Sequence, residues 1–179
     1  LNESVNEVLM KAPIYRINNQ VKKFDTISLK VDDAISRKVA EIDVPNNFIR
    51  LVSISHEKFQ RQIVDLAIEG DEVDKRQHNK HLVAKCAKPV AVISRESSEA
   101  GKGKRLIRCY SFASDEASSP VGYYIERYSS AKNNTAAEVD LDDYLIDIVS
   151  WVCAGKVFAA QGDINKGKVC DENAIALMA

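Results

Sequence analysis

The spacing of apolar residues in the first half of the chain predicts both helices and strands. Positions that recur every three to four residues predict helices, and three segments have this spacing: 2–11, 33–42 and 55–70. The next segment, 71–88, is strongly charged with few apolar residues, and we expect a largely solvated helix there. Alternation, or a short apolar run between turn residues, predicts strands, and three segments have this pattern: 14–17, 27–31 and 48–54. The last run is mostly apolar, so we expect a central strand covered on both faces.

Three strand-like segments with short polar connectors follow in the second half. They are residues 90–93, 105–112 and 121–128. Consecutive strands with such short connectors usually pair with each other, so we expect an antiparallel meander of three strands over about 89–128. A helix with Leu141, Tyr144 and Ile148 on one face is predicted to begin at Asp140.

This order of elements predicts an α+β fold. We expect a mixed or antiparallel sheet that includes the meander and packs against amphipathic helices. The length of 179 residues suits one hydrophobic core, so the prediction is a single α+β domain over residues 1–179. A change of composition near residues 88/89 leaves a division into two lobes as the alternative.

Composition and charge exclude some classes of protein. The content of 45% hydrophobic and 28% charged residues is typical of a globular chain and unlike a disordered one. The 25 basic and 26 acidic residues nearly cancel, so no global field would attract the chain to nucleic acid or an anionic membrane. We also expect no membrane span, because no apolar stretch approaches the length that a bilayer requires.

The cysteines bear on the compartment. Cys86, Cys109, Cys153 and Cys170 lie too far apart in sequence for a CxxC motif, and a chain of this length needs no disulfides to fold. We expect reduced thiols and a cytoplasmic location, or another reducing compartment. Because the first residue is Leu1 and not methionine, export after removal of an upstream leader remains an alternative.

A basic and aromatic surface is one candidate site. Positive charges and tyrosines fall on the last two predicted strands of the meander and on the glycine-containing turn before them. An exposed face of this kind would stack bases and hold phosphates, as in proteins that bind single-stranded nucleic acid. The predicted site residues are Lys102, Lys104, Arg105, Arg108, Tyr110, Tyr124 and Tyr128. The alternative is an ordinary sheet whose tyrosines pack across strands.

A carboxylate cluster is the second candidate. Asp140, Asp143 and Asp147 have helical spacing, so their side chains would share one face and supply oxygen ligands to a hard cation. Such a metal would fit a metal-dependent hydrolase or nuclease. The alternative is structural, because carboxylates at the start of a helix stabilise it without a ligand.

Catalytic signatures are otherwise missing from the sequence. The chain has no GxSxG motif and no zinc-protease motif. A cysteine-dependent effector enzyme would require the fold to bring Cys153 or another thiol close to His56, His78 or His81.

The sequence therefore leaves the function open and names no catalytic residue. The leading hypothesis is a non-enzymatic domain for binding or assembly with a macromolecule, with a protein as the expected partner and no cofactor required. It is motivated by the strongly charged segment 71–88. Nucleic-acid binding, metal-dependent hydrolysis and a cysteine-dependent effector are the alternatives.

Overall fold

The structure is a computed structural model, which describes residues 1–17, 20–95, 105–128, 141 and 143–179. The chain packs into two compact units. The first combines Leu1–Val21 with Ile125–Ala179, and the second is Lys22–Tyr124. Residues 88/89 lie inside the second unit. The description as a single domain stays a prediction.

The described elements comprise four α-helices, one short 3-10 helix and eight strands. The α-helices are α1 (Asn2–Lys11), α2 (Glu72–Gln77), α3 (Asp143–Ala160) and α4 (Ile164–Met178), and the 3-10 helix is Ile14–Arg16. The strands are β1 (Val21–Lys23), β2 (Ile27–Asp32), β3 (Arg37–Asp43), β4 (Phe48–Ser55), β5 (Ala67–Ile68), β6 (Val90–Arg95), β7 (Arg105–Tyr110) and β8 (Val121–Glu126). The fold is α+β, as predicted. Among the described residues, every helix is too short or too polar to span a bilayer.

Helices α1, α3 and α4 form the first unit. The predicted opening helix is confirmed as α1, which buries Val5, Val8 and Leu9. α3 continues through Gly155 to Ala160, although glycine is a poor helix former. This glycine allows α4 to approach closely, because a Cβ atom at Gly155 would lie 3.3 Å from the carbonyl oxygen of Gly167.

A five-stranded sheet forms the centre of the second unit, in the order β2, β3, β7, β6, β5. Neighbours are antiparallel except β5, which is parallel to β6. Ala40 and Cys109 pair across β3 and β7 and belong to one core cluster, whereas Val39 and Tyr110, one position along, belong to another. Since successive side chains point to opposite faces, both faces of this sheet carry core.

Two predicted helices are replaced by other structure, and a third is shortened. The segment 33–42 is a turn followed by β3, because Val39, Ala40 and Ile42 are buried between β2 and β7 in strand register. Segment 55–70 has irregular backbone and β5 in place of a helix. In segment 71–88 only α2 is helical, because the chain leaves the helix at His78.

The predicted meander is half right. β6 and β7 pair antiparallel as expected, but β8 belongs to a three-stranded sheet of order β1, β8, β4. The connector from Ser111 to Pro120 is long enough to carry the chain to this second sheet. β8 fits there because Gly122 leaves room for Phe24, which would lie 2.8 Å from a Cβ atom.

Two predicted strands also change. β4, the expected central strand, lies at the end of the order β1, β8, β4. Its last part forms an antiparallel bridge between Ile54 and Ile63, which satisfies backbone groups beyond the sheet. The predicted strand 14–17 is the 3-10 helix Ile14–Arg16, which follows directly after Pro13.

Candidate functional site

A groove lies on the second unit between α2 and the irregular segment that leads to β6. Residues between 73 and 90 line it, and we call it the 73–90 groove; its volume is about 490 Å³. Volumes of this order are typical of sites that hold a ligand or a few side chains of a partner.

Hydrogen bonds from side chains to the main chain build the α2 wall of the groove. Asp71 caps the helix, since its carboxylate accepts the N–H of Asp74 at 2.7 Å. Gln77 joins the end of the helix to the next segment: its amide donates to the carbonyl oxygen of Val73 at 2.8 Å and accepts the N–H of Ala84 at 2.9 Å. Gln77 is buried, so these bonds fix the spacing of the groove walls.

A turn at Asn79 sets the direction of two neighbouring apolar side chains. Its side-chain oxygen accepts the N–H of His81, and its main-chain carbonyl accepts those of Leu82 and Val83 at 2.9 and 2.8 Å. As a result Val83 is 4% exposed and packs in the core cluster with Tyr110, whereas Leu82 is 60% exposed beside the groove. An exposed leucine next to an apolar groove is available to a partner.

The groove is basic. From Lys75 to Lys88 the sequence contains five lysine or arginine residues and two histidines but no aspartate or glutamate. Arg76 forms an ion pair with Glu72 on α2. Lys85 and Lys88 are exposed, and within the part of the chain that the structure describes their ammonium groups have no ion-pair partner.

Sequence analysis missed this groove because it predicted one solvated helix over 71–88. A helix would have spread the charges and separated Leu82 from the wall formed by α2. The useful signal was the charge distribution: acidic residues stop at Asp74, and the next fourteen residues carry only positive charge. Overall charge balance conceals such a local excess.

A second cluster joins the loop after β4 to the loop before β8. His56 Nε2 lies 2.8 Å from Ser118 Oγ, which also lies 3.1 Å from a carboxylate oxygen of Glu57 and 2.9 Å from one of Glu116. Lys58 completes the cluster with an ion pair to Glu116 at 2.7 Å. The ligand atoms of His56, Glu57 and Glu116 all lie within 4.8 Å of one another, a spacing compatible with a metal ion.

The hydrogen-bond directions favour a structural role for this His56 cluster. His56 Nδ1 accepts the main-chain N–H of Lys58 at 3.2 Å, so a neutral imidazole carries its proton on Nε2. That nitrogen then donates to Ser118, whereas a base must accept the serine proton and a metal ligand must offer a lone pair. The same tautomer therefore disfavours both a serine nucleophile and an Nε2 metal ligand.

Glu116 is the anchor of the His56 cluster. The hydrogen bond from Lys58 lowers the pKa of this buried carboxyl to about 2, and donors from the Ser118 hydroxyl and main chain add to the effect. Lys38 also donates to the main-chain carbonyl oxygen of Glu116 at 2.6 Å. The ionised side chain of Glu116 therefore ties its own loop to Lys58, and its main-chain carbonyl ties the same loop to Lys38 on β3.

The predicted nucleic-acid residues that the structure describes do not form one exposed face. Tyr110 in β7 and Tyr124 in β8 are 1% and 8% exposed, and the two strands lie in different sheets. Arg108 pairs with Glu41 at 3.4 Å. Arg105 lies over the ring of Phe48, 5.9 Å from its centroid.

Tyr128 is half-buried, and its main chain is held by Asn6. Lys102 and Lys104 lie outside the described residues. The nucleic-acid hypothesis stays a prediction. It assumed one exposed sheet face that carries both strands, whereas β7 and β8 lie in different sheets.

Of the predicted metal ligands, Asp143 and Asp147 are exposed on the first turns of α3, and Asp140 lies outside the described residues.

The cysteine hypothesis also stays a prediction. Cys153 lies on α3 in the first unit, whereas the three histidines lie in the second. Burial raises the pKa of Cys109, which disfavours the reactive thiolate there.

No protein-family model matches the sequence, and no curated protein or solved structure is significantly similar to it.

Proposed function

We propose that this chain is a non-enzymatic binding domain that recognises an acidic protein partner through the segment Lys75–Lys88. The observation that carries the proposal is the run of positive charge in this segment, which α2 and the Asn79 turn hold on the surface of the second unit. Charge of one sign attracts a partner of the opposite sign and sets the rate of its association.

A protein fits this segment better than a nucleic acid does. Proteins that bind single strands combine cations with aromatic rings on which bases stack, but the segment Lys75–Lys88 contains no tyrosine, phenylalanine or tryptophan. Two of the predicted stacking residues, Tyr110 and Tyr124, are buried.

A role in binding, as opposed to turnover, agrees with the hydrogen-bond directions in the His56 cluster, where the Ser118 hydroxyl accepts from the imidazole.

The reducing compartment expected from sequence is part of the proposal, and the four free cysteines support it.

Charge reversal of Lys85 and Lys88, the two lysines that line the groove, tests the proposal. We expect the protein to bind fluorescein-labelled polyglutamate with an affinity that falls as salt increases. Lys85→Glu with Lys88→Glu should weaken this binding about tenfold or more, because two attractions become repulsions. Fluorescence anisotropy at low and high ionic strength measures both effects.

The matched control is Lys22→Glu with Lys23→Glu, which reverses two adjacent exposed lysines on β1. This control should bind polyglutamate nearly as well as the unmodified protein. Equal affinity of the two double variants would overturn the proposal, as would tighter binding of an oligothymidylate than of polyglutamate of similar length.

A further inference from the structure

The 73–90 groove has an apolar floor beneath its positive rim. Val83 and Ala84 are buried in the floor, and Val90 begins the β6 strand beside them. Val73 on α2 and Leu82 after the Asn79 turn are exposed and also line the groove. A polyanion would use the rim and leave these aliphatic side chains in contact with water.

Charge and shape together specify the occupant. The rim offers Arg76, Lys85 and Lys88, with His81 between them, and the residues that line the groove in the described structure include no carboxylate. An aliphatic side chain entering the groove would bury apolar surface on both partners. Carboxylates beside that side chain would meet the lysines at the rim, where charge determines specificity.

The proposed function is the premise of this inference, which concerns the partner at the same site. We infer that the partner presents an amphipathic acidic segment, in which one or two large aliphatic side chains lie between carboxylates. The aliphatic side chains occupy the space between Val73 and Leu82, and the carboxylates contact Lys85 and Lys88. Hydrophobic anchors in grooves are the usual source of affinity in such complexes, with charged contacts around them.

The α2 wall makes the groove suited to this task. Gln77 bonds at both ends, to Val73 and to Ala84, so the two sides keep their separation when the groove is empty. A site that is already formed avoids the cost of ordering on binding. This explains how a short segment could bind there without a large interface.

Two labelled probes separate the inference from its premise. One is an acidic peptide with leucines between glutamates, and the other is polyglutamate of the same length. We expect the leucine peptide to bind about tenfold more tightly, as burial of one aliphatic side chain would give. Replacing its glutamates by glutamine should weaken binding, because the contacts with the lysines are lost.

Leu82→Ser is the decisive variant, because it removes an aliphatic contact and leaves every charge in place. It should reduce the advantage of the leucine peptide to less than about threefold while polyglutamate binding is unchanged. Val64→Ser is the matched control, since Val64 is also exposed but lies outside the groove. Circular dichroism checks that both variants fold.

Each outcome has one meaning. If polyglutamate binds as tightly as the leucine peptide, or if Leu82→Ser leaves their ratio unchanged, the inference is wrong while the proposed function stands. If Lys85→Glu with Lys88→Glu leaves the binding of both probes intact, the proposed function fails and the inference fails with it.

Discussion

At the scale of single residues, Ser111 has an unusual backbone. Its φ angle is 135°, in a region that favours glycine, although its side chain is buried. Its hydroxyl also has no hydrogen-bond partner in the described structure, while its carbonyl oxygen accepts from the Cys86 thiol at 3.2 Å. The strain is stored where the chain leaves β7 for the other sheet.

Replacing Ser111 with glycine should therefore stabilise the protein. Relief of the backbone strain and of the buried hydroxyl outweighs the entropy that glycine gains in the unfolded chain, and we expect a gain of about 1 kcal/mol. Denaturant unfolding measures it. Ser36→Gly is the control: Ser36 has φ 54° but is exposed, so the change there should be smaller. A loss of stability in Ser111→Gly would refute the argument.

Glu116 predicts how stability depends on pH. Its pKa is lowered from 4.5 to about 2 by Lys58, so its contribution is fully present above the unfolded value and is lost as pH falls toward the folded value. The free energy of unfolding should decline between about pH 5 and pH 2. Glu116→Gln should be less stable at neutral pH and should show a flatter decline in this window.

Lys58→Met serves as the companion variant for this prediction. It leaves the carboxyl in place but removes the main cause of its lowered pKa, so the folded value moves back toward the unfolded one, and the acid-induced loss of stability should be smaller and should end at a higher pH than in the unmodified protein. Superimposable pH profiles for all three proteins would show that the ion pair has no part in stability.

At the scale of elements, the contact between α3 and α4 depends on two facing glycines. A Cβ atom at Gly155 would lie 2.8 Å from a carboxylate oxygen of Asp171 as well as close to the backbone of Gly167. Gly155→Val should therefore cost about 2 kcal/mol, even though valine has the higher helix propensity. Ala160→Val, at an exposed position of the same helix, should change the stability by less than about 0.5 kcal/mol. Thermal unfolding compares the two variants.

Local sequence patterns predicted an element correctly where the apolar spacing fits only a helix or only a strand. The helix α1 and the strand pair β6 and β7 follow from spacing and from connector length. Between residues 33 and 42, however, Val39 and Ile42 suit a helix by spacing and a strand by branching, and only pairing with β2 and β7 selects the strand. Long-range pairing of this kind is invisible in a short window of sequence.

The candidate site shows the same limit. Its charges can be read directly from the sequence, but their grouping cannot. The Asn79 turn and the Gln77 hydrogen bonds convert an apparent helix into a groove, and the contrast between Leu82 and Val83 follows from that turn. Side-chain capping decides such short elements more than propensity does.

At the scale of the whole molecule, charge is distributed unevenly although it nearly cancels. The chain has 25 basic and 26 acidic residues, and the segment Lys75–Lys88 holds five of the basic ones without any of the acidic ones. A net charge near zero suppresses non-specific attraction to polyanions, whereas a local excess of positive charge still attracts an acidic partner to that part of the surface. The affinity for polyglutamate should therefore fall with salt because of the charges in the segment Lys75–Lys88, and not because of the net charge of the chain.

The division of the chain into units has a consequence during synthesis. The second unit is continuous, from Lys22 to Tyr124, whereas the first needs both ends of the chain. As the polypeptide leaves the ribosome, the sheets can form while α1 still waits for α3 and α4, with Val5, Val8 and Leu9 uncovered. The apolar face of this amphipathic segment therefore stays exposed to solvent until residues 125–179 have been made.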